Sequence, residues 1–146
     1  MELNNQQIQK IIPHRYPFLL VDKIKELEPG VKAIGIKCVT ANEMQFMGHF
    51  PGNPVMPGVL IIEAMAQVGA VISLTLPENT GKLGLFGGIK EARFRRQVVP
   101  GDVLTMEVEL IKQKGPVGVL KGKATVDGVV AATAEMTCMM VDAPKE

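Results

Sequence analysis

The sequence is poor in the residue types that mark nucleic-acid binding. Aromatic residues make up 4% of its 146 residues, tryptophan is absent, and the formal net charge is only +1. Nucleic-acid binding usually needs a basic surface and aromatic side chains on which bases stack, so this composition argues against it. Because 47% of the residues are apolar, a chain of this length can bury one core, and we expect a single domain over residues 1–146.

Cysteine is equally scarce. The two cysteines, Cys38 and Cys138, stand far apart in strand-like runs and lack the spacing of metal ligands, so we expect both to pack as small apolar side chains. The first ten residues are polar and lack the apolar core of a secretion signal. These features predict a protein of the reducing cytoplasm whose cysteines do not form a metal site.

Charge is almost missing from one long stretch. Between Glu43 and Glu78 the only Asp, Glu, Lys or Arg residue is Glu63, inside the apolar tract Val59–Leu76. The tract reaches the lower limit of a membrane span, but Glu63 and Gln67 interrupt it and no basic residue flanks it closely. A helix that is apolar on all sides also forms the centre of a water-soluble core, and we favour that interpretation.

The rest of the chain has the pattern of a sheet able to cover such a helix. A short helix is predicted at Asn4–Ile12, and Asp127-Gly128 is a strong two-residue hairpin signal. Strands are predicted at Phe18–Leu27, Val31–Val39, Leu83–Arg96, Val103–Lys112, Val117–Val126 and Val129–Val141. This order favours an α+β fold, in which a curved antiparallel sheet wraps around one long central helix. A single sheet leaves an edge uncovered, so we expect self-association.

Glu63 and His49 are the candidates for acid–base chemistry. A carboxylate in apolar surroundings loses its hydration, which costs several kcal/mol, so it either pairs or keeps a proton. His49 lies in a proline-stiffened loop just before the helix, and an imidazole exchanges protons near neutral pH. Gln67 is one helical turn after Glu63 on the same face and is expected to orient its carboxyl. A structural role remains the alternative for each side chain.

The dipeptide Pro57-Gly58 is expected to open the helix, with proline at the first helical position. The first N–H groups of a helix have no partners inside it, and glycine lets a ligand approach them closely. Gly58 could therefore polarise a carbonyl oxygen as that oxygen gains charge. An ordinary helix start without chemistry is the alternative.

A basic cluster follows later in the chain. Its members are Lys90, Arg93, Arg95 and Arg96. The cluster is either a solvated strand face or a docking patch for an acidic protein or a phosphate group. The second histidine, His14, has no acidic residue nearby in the sequence and is interpreted as structural.

Three motifs together identify a family. They are HRYPFLLVD at 14–22, GHFPGNPVMPGVLIIEAMAQ at 48–67 and FRRQVVPGD at 94–102. In this order they closely resemble the β-hydroxyacyl-[acyl-carrier-protein] dehydratases of bacterial-type fatty acid synthesis, and the likeness covers essentially the whole chain. The resemblance implies the hot-dog fold, dimers that join their sheets, and assembly as trimers of dimers.

The resemblance also implies the chemistry. His49 and Glu63 would form a catalytic pair across the dimer interface, and a Gly58 N–H would polarise the thioester carbonyl. The implied reaction removes water from a (3R)-3-hydroxyacyl thioester without a cofactor, with the acidic carrier protein docked near Arg93, Arg95 and Arg96. Glutamate at position 63, rather than aspartate, favours a dehydratase without isomerase activity. A hot-dog thioesterase and a non-catalytic acyl-binding module are the alternatives.

Overall fold

A computed structural model describes residues 1–144. Two α-helices, α1 (Asn5–Gln9) and α2 (Gly58–Leu74), accompany six strands: β1 (Lys23–Glu28), β2 (Lys32–Cys38), β3 (Lys82–Phe94), β4 (Val103–Lys114), β5 (Val117–Val126) and β6 (Val129–Asp142). Short 3-10 helices cover Met44–Met47 and Pro77–Asn79. The Asn4 side chain caps α1 by accepting a hydrogen bond from the Gln7 N–H, and the helix ends at Gln9, before the predicted Ile12.

The six strands form one antiparallel sheet in the order β1-β2-β4-β5-β6-β3. The β5–β6 hairpin turns at Asp127 and Gly128, whose φ angles of 50° and 78° suit the tight turn that the dipeptide predicted. Strand β3 lies at one edge of the sheet, and its register against β6 shifts between Phe86 and Gly88, at a pair of glycines. The side of β3 that faces away from β6 has no strand partner among residues 1–144.

Helix α2 is the centre of the core and packs against all six strands. Most of its apolar side chains are buried, among them Met65, Val68 and Ile72, whereas Val59 in the first turn is exposed. The sheet approaches the helix so closely that a Cβ added at Gly35 would lie 2.5 Å from a methyl group of Val68. The enclosed helix and the wrapped antiparallel sheet confirm the predicted α+β, hot-dog architecture. No helix within residues 1–144 combines the length and apolar character needed to cross a bilayer.

Three local expectations were wrong. The first strand begins at Lys23 rather than Phe18, because the backbone around Phe18 bonds to a side chain of α2 instead of to a neighbouring strand. Pro57 precedes the helix as its N-cap, since its ψ of 133° is not helical. Cys38 is exposed rather than packed inside, whereas Cys138 is partly buried.

Candidate active site

Glu63 projects from α2 into a narrow, mostly apolar pocket. Its side chain is only 18% exposed. The pocket is also lined by His14, Phe86 and Cys138, and it has about 50 Å³ of room. The carboxyl oxygen Oε2 accepts a hydrogen bond of 2.9 Å from Nε2 of Gln67. The carboxyl is therefore held by a neighbour on its own helix, as the spacing of the two residues predicted.

Gln67 does more than orient Glu63. It is 1% exposed, and its Oε1 accepts a hydrogen bond of 2.8 Å from the Leu20 N–H. Its Nε2 also donates to the Phe18 carbonyl at 2.7 Å. Since every polar group of this buried amide has a partner, Gln67 ties the segment after α1 to the central helix. That tie has no sequence signal, because it joins residues 47 and 49 positions apart.

His14 lies beside Glu63 in the fold, although no acidic residue stands near it in the sequence. Its Nε2 is 3.9 Å from Oε2 of Glu63, and its Nδ1 is buried without a hydrogen-bond partner among residues 1–144. Burial lowers the pKa of His14; the charge of Glu63 acts in the opposite direction, and Arg15 adds to the lowering. His14 is therefore neutral at pH 7 and carries one ring N–H.

His49 is held in a defined orientation at the end of its loop. Its Nδ1 is 2.7 Å from the Val55 carbonyl, and its ring stacks on Phe50 with centroids 4.0 Å apart. A carbonyl only accepts hydrogen bonds, so Nδ1 carries the proton and Nε2 keeps a lone pair. The ring thus offers a base at Nε2.

A buried ion pair anchors the beginning of the His49 loop, which sequence reasoning missed. Nζ of Lys37 lies 2.7 Å from Oε1 of Glu43. The Glu43 carboxylate also accepts hydrogen bonds from the Thr40 N–H at 2.8 Å and from Nε2 of Gln45 at 3.0 Å. The Gln45 carbonyl in turn accepts from the His49 N–H at 3.1 Å. The pair therefore supports the loop from which His49 projects.

Gly58 and His49 line one groove at the start of α2, with a volume of about 570 Å³. The N–H groups of Leu60 and Ile61 donate to the Pro57 carbonyl, while the Gly58 N–H has no hydrogen-bond partner among residues 1–144. A Cβ at Gly58 would lie 2.7 Å from the ring of Phe94, so any larger residue at this position would displace that ring. An unpaired N–H and an imidazole base thus face the same space.

A single chain does not bring His49 and Glu63 together. His49 lines the groove at the helix start, whereas Glu63 lines the separate pocket with His14. Five residues along a helix correspond to a rotation of about 140° beyond one full turn, so Gly58 and Glu63 point to different sides of α2. The predicted pair can form only if another chain contributes one of its members.

The basic cluster is exposed but is not one uniform surface. Lys90 is paired in register with Glu135 of β6, so an opposite charge stands next to it. Strand β3 ends at Phe94, and Arg95 and Arg96 lie beyond it, where they line the His49 groove. Arg96 is also 4.0 Å from Asp102.

Known proteins that resemble this chain belong to the family that its sequence motifs indicated. The model of the FabA-like domain matches residues 12–135. The protein named 3-hydroxyacyl-[acyl-carrier-protein] dehydratase FabZ from Clostridium novyi (strain NT) is 60% identical over 93% of this chain and 96% of its own length. Its namesake from Clostridium botulinum (strain Kyoto / Type A2) is 65% identical, with coverage of 92% and 93%. Both dehydratases therefore align with this chain over nearly the whole length of each protein.

Solved structures share the fold at lower identity. A chain of the dehydratase heterocomplex ApeI:P from Xenorhabdus doucetiae superposes with a TM-score of 0.79 at 20% identity, covering 92% of this chain and 91% of that one. A hypothetical thioesterase with coenzyme A from Streptococcus pneumoniae TIGR4 gives 0.62 at 15% identity, covering 84% and 87%. The chain belongs to the FabA-like family and, within it, to the 3-hydroxyacyl-[acyl-carrier-protein] dehydratases named FabZ.

Proposed function

We propose that this dehydratase converts (3R)-3-hydroxyacyl-[acyl-carrier-protein] to the trans-2-enoyl thioester, with His49 of one chain and Glu63 of another as its acid–base pair. The observation that carries the proposal is the division of polar groups between two cavities. A base and an unpaired Gly58 N–H face one groove, and a shielded carboxyl faces a neighbouring pocket.

The chemistry follows from these groups. The α-proton of a thioester becomes acidic enough to remove only when its carbonyl oxygen is stabilised, which the Gly58 N–H and the helix dipole supply. Nε2 of His49 then takes the α-proton, and Glu63 delivers a proton to the departing hydroxyl. Each of these transfers contributes about 10²–10⁴-fold to the rate. None of the steps requires a metal ion or an organic cofactor.

The exposed edge of β3 supports a dimer that completes the site. Four large apolar side chains on β3 are about half exposed: Leu85, Phe86, Ile89 and Phe94. Unpaired strand edges with apolar side chains favour pairing with another chain. Antiparallel pairing of two β3 strands about a twofold axis near Lys90 would bring Phe94 of one chain beside Phe86 of the other.

That pairing would also join the two cavities. Phe94 lines the His49 groove, and Phe86 lines the Glu63 pocket. Two equivalent sites would therefore form, each taking His49 and Gly58 from one chain and Glu63 and Gln67 from the other. We further propose that three such dimers assemble into a hexamer in the cytoplasm, and that the acidic carrier protein docks near Arg93, Arg95 and Arg96.

Complementation between two inactive variants tests the shared site. His49→Ala and Glu63→Ala are purified separately, unfolded together and refolded as a mixture. Each mixed dimer would contain one intact site and one doubly altered site, so random pairing restores about a quarter of the wild-type rate. Mixture activity no higher than that of either variant alone would refute a site shared between chains.

The assay also separates the rival activities. Purified protein is incubated with 3-hydroxyacyl thioesters, and the conjugated-enoyl absorbance is recorded beside a thiol-reactive dye. We expect enoyl absorbance without release of thiol. Thiol release alone would indicate a thioesterase, and binding of the thioester without either signal would indicate an acyl-binding module.

A further inference from the structure

We propose that His14 Nε2 and Glu63 Oε2 together form a seat for the hydroxyl group that leaves the substrate, which makes His14 a third catalytic residue. This inference rests on the dehydratase function proposed above. It assigns a role to a buried histidine that the acid–base pair leaves unused.

The spacing of the two atoms suits one oxygen atom between them. His14 Nε2 and Glu63 Oε2 are 3.9 Å apart, too far for a direct hydrogen bond. An oxygen placed about 2.8 Å from each would make a normal hydrogen bond to both. The pocket that these residues line has about 50 Å³ of room, whereas one water molecule needs about 10–15 Å³.

The surroundings of His14 determine which of its two ring nitrogens carries the proton. Nδ1 is buried and has no hydrogen-bond partner within residues 1–144, so a proton there would have no acceptor. Nε2 faces the seat, where an oxygen placed between the two side chains accepts its proton. The neutral ring therefore carries its proton on Nε2, and burial, by lowering the pKa of His14, keeps the ring in this neutral form.

The segment that carries His14 is held rigidly against the helix. Arg15 donates hydrogen bonds to three carbonyls, of Gln9, Ile12 and His14, at 2.7–2.9 Å. Gln67 binds the same segment further on, at Phe18. The His14 ring and the Glu63 carboxyl therefore keep their separation without the substrate, as a preorganised site requires.

The elimination step then balances as follows. His49 of the partner chain takes the proton from C2, and the electrons of that C–H bond form the C2=C3 double bond. The C3–O bond breaks, and its electron pair goes to the oxygen. Glu63 gives its proton to that oxygen, which leaves as water, while His14 Nε2–H donates a hydrogen bond to the same oxygen as its charge develops.

Substitutions of His14 test this seat through the leaving group. His14→Phe keeps a flat ring without a donor, and His14→Gln restores an N–H donor on a flexible side chain. We expect His14→Phe to lower kcat about 10²-fold with KM little changed, and His14→Gln to recover most of the loss. His14→Met is the second donor-free variant if thermal unfolding shows that His14→Phe is not folded.

A 3-chloroacyl thioester provides the readout that a structural role would not move. Chloride leaves without a proton, so the donor-free variants should eliminate it at nearly the wild-type rate. Equal losses with the hydroxyl and the chloride substrate would overturn the seat, as would an undiminished kcat in His14→Phe or failure of His14→Gln to recover. A wild-type protein that forms no enoyl product would refute the proposed function as well, which separates the two failures.

Discussion

Nε2 of Gln67 donates a hydrogen bond of 2.9 Å to Oε2 of Glu63, one turn earlier on α2. The same amide satisfies the Leu20 N–H and the Phe18 carbonyl. One buried side chain therefore both orients the candidate acid and holds a segment of backbone against the core.

The substitution Gln67→Met is expected to damage stability and activity together. It leaves the buried Leu20 N–H and the partly buried Phe18 carbonyl without their partners, which costs about 1–3 kcal/mol each. We expect the free energy of unfolding, measured in urea, to fall by about 2–5 kcal/mol. The matched control is Gln6→Met, because Gln6 is exposed on α1. This substitution should change the free energy of unfolding by less than about 0.5 kcal/mol. Equal effects of the two substitutions would contradict this role of Gln67.

Gly58→Ala is expected to impair catalysis more than folding. The new methyl group would lie 2.7–2.9 Å from two ring carbons of Phe94, whose side chain is half exposed and can move aside. Displacement of that ring into the groove should lower kcat/KM about 10²-fold. Gly48→Ala is the matched stability control, since its Cβ would meet nothing within 4 Å. Recovery of activity in the double variant Gly58→Ala/Phe94→Ala would confirm the cause; unchanged activity in Gly58→Ala would contradict it.

The ion pair of Lys37 and Glu43 predicts a pH-dependent contribution to stability. Burial alone would raise the pKa of Glu43, but hydrogen bonds from Lys37, the Thr40 N–H and Gln45 outweigh it and lower the pKa below its usual 4.5. A carboxyl with a depressed pKa stabilises the fold above its unfolded pKa, and this contribution is lost as the pH falls through the folded pKa. The wild-type protein should therefore lose this stability progressively below about pH 4.5.

The variant Glu43→Gln measures that contribution. At pH 7 it should lower the free energy of unfolding by about 1–3 kcal/mol, because a neutral acceptor replaces the carboxylate beside the buried Lys37 ammonium, which keeps its hydrogen bond to the Cys38 carbonyl. The difference in the free energy of unfolding between Glu43→Gln and the wild-type protein should become smaller as the pH falls from about 5 to about 3. Glu107→Gln is the control: its pair with Lys123 is half exposed at 3.1 Å and should contribute less than about 1 kcal/mol. A difference for Glu43→Gln that stays constant down to pH 3 would argue against this assignment.

The two cysteines should differ in reactivity. Burial, and then the charge of Glu63, raise the pKa of Cys138 to about 11, so only about one molecule in 10³ carries its thiolate at pH 8. Cys38 is exposed. Iodoacetamide at pH 8 should therefore modify Cys38 first, as followed by peptide mass spectrometry, and Glu63→Gln should make Cys138 more reactive. Faster modification of Cys138 than of Cys38 in the folded protein would contradict the prediction.

Much of the fold follows from local pattern. The long apolar run with one internal acid predicted a buried helix, and α2, which is 17 residues long, covers the run from Val59 to Leu74. The hairpin at Asp127-Gly128 was predicted from two turn-forming residues, because such residues act on the backbone within a few positions of themselves. The strand near Phe18 was placed too early, because its hydrogen bonds go to a side chain far along the chain.

Only part of the candidate site could be predicted from local sequence pattern. Glu63 stands out in the sequence because an acid is rare in an apolar tract, and Gln67 because it follows one helical turn later. Gly58 and His49 stand out because they lie at the start of the helix and in the loop before it. His14 and the pair of Lys37 with Glu43 had no such signal. They act through contacts made only after the chain has folded.

The linear sequence by itself determined the elements, since hydrophobic periodicity and turn residues act over short distances. Tertiary structure alone decided which polar groups share a cavity. Helix α2 turns Gly58 and Glu63 to different sides, and the fold brings His14 across 49 positions to within 3.9 Å of Glu63. Hydrogen bonds and charges depend on distance in space, and the folded backbone determines that distance.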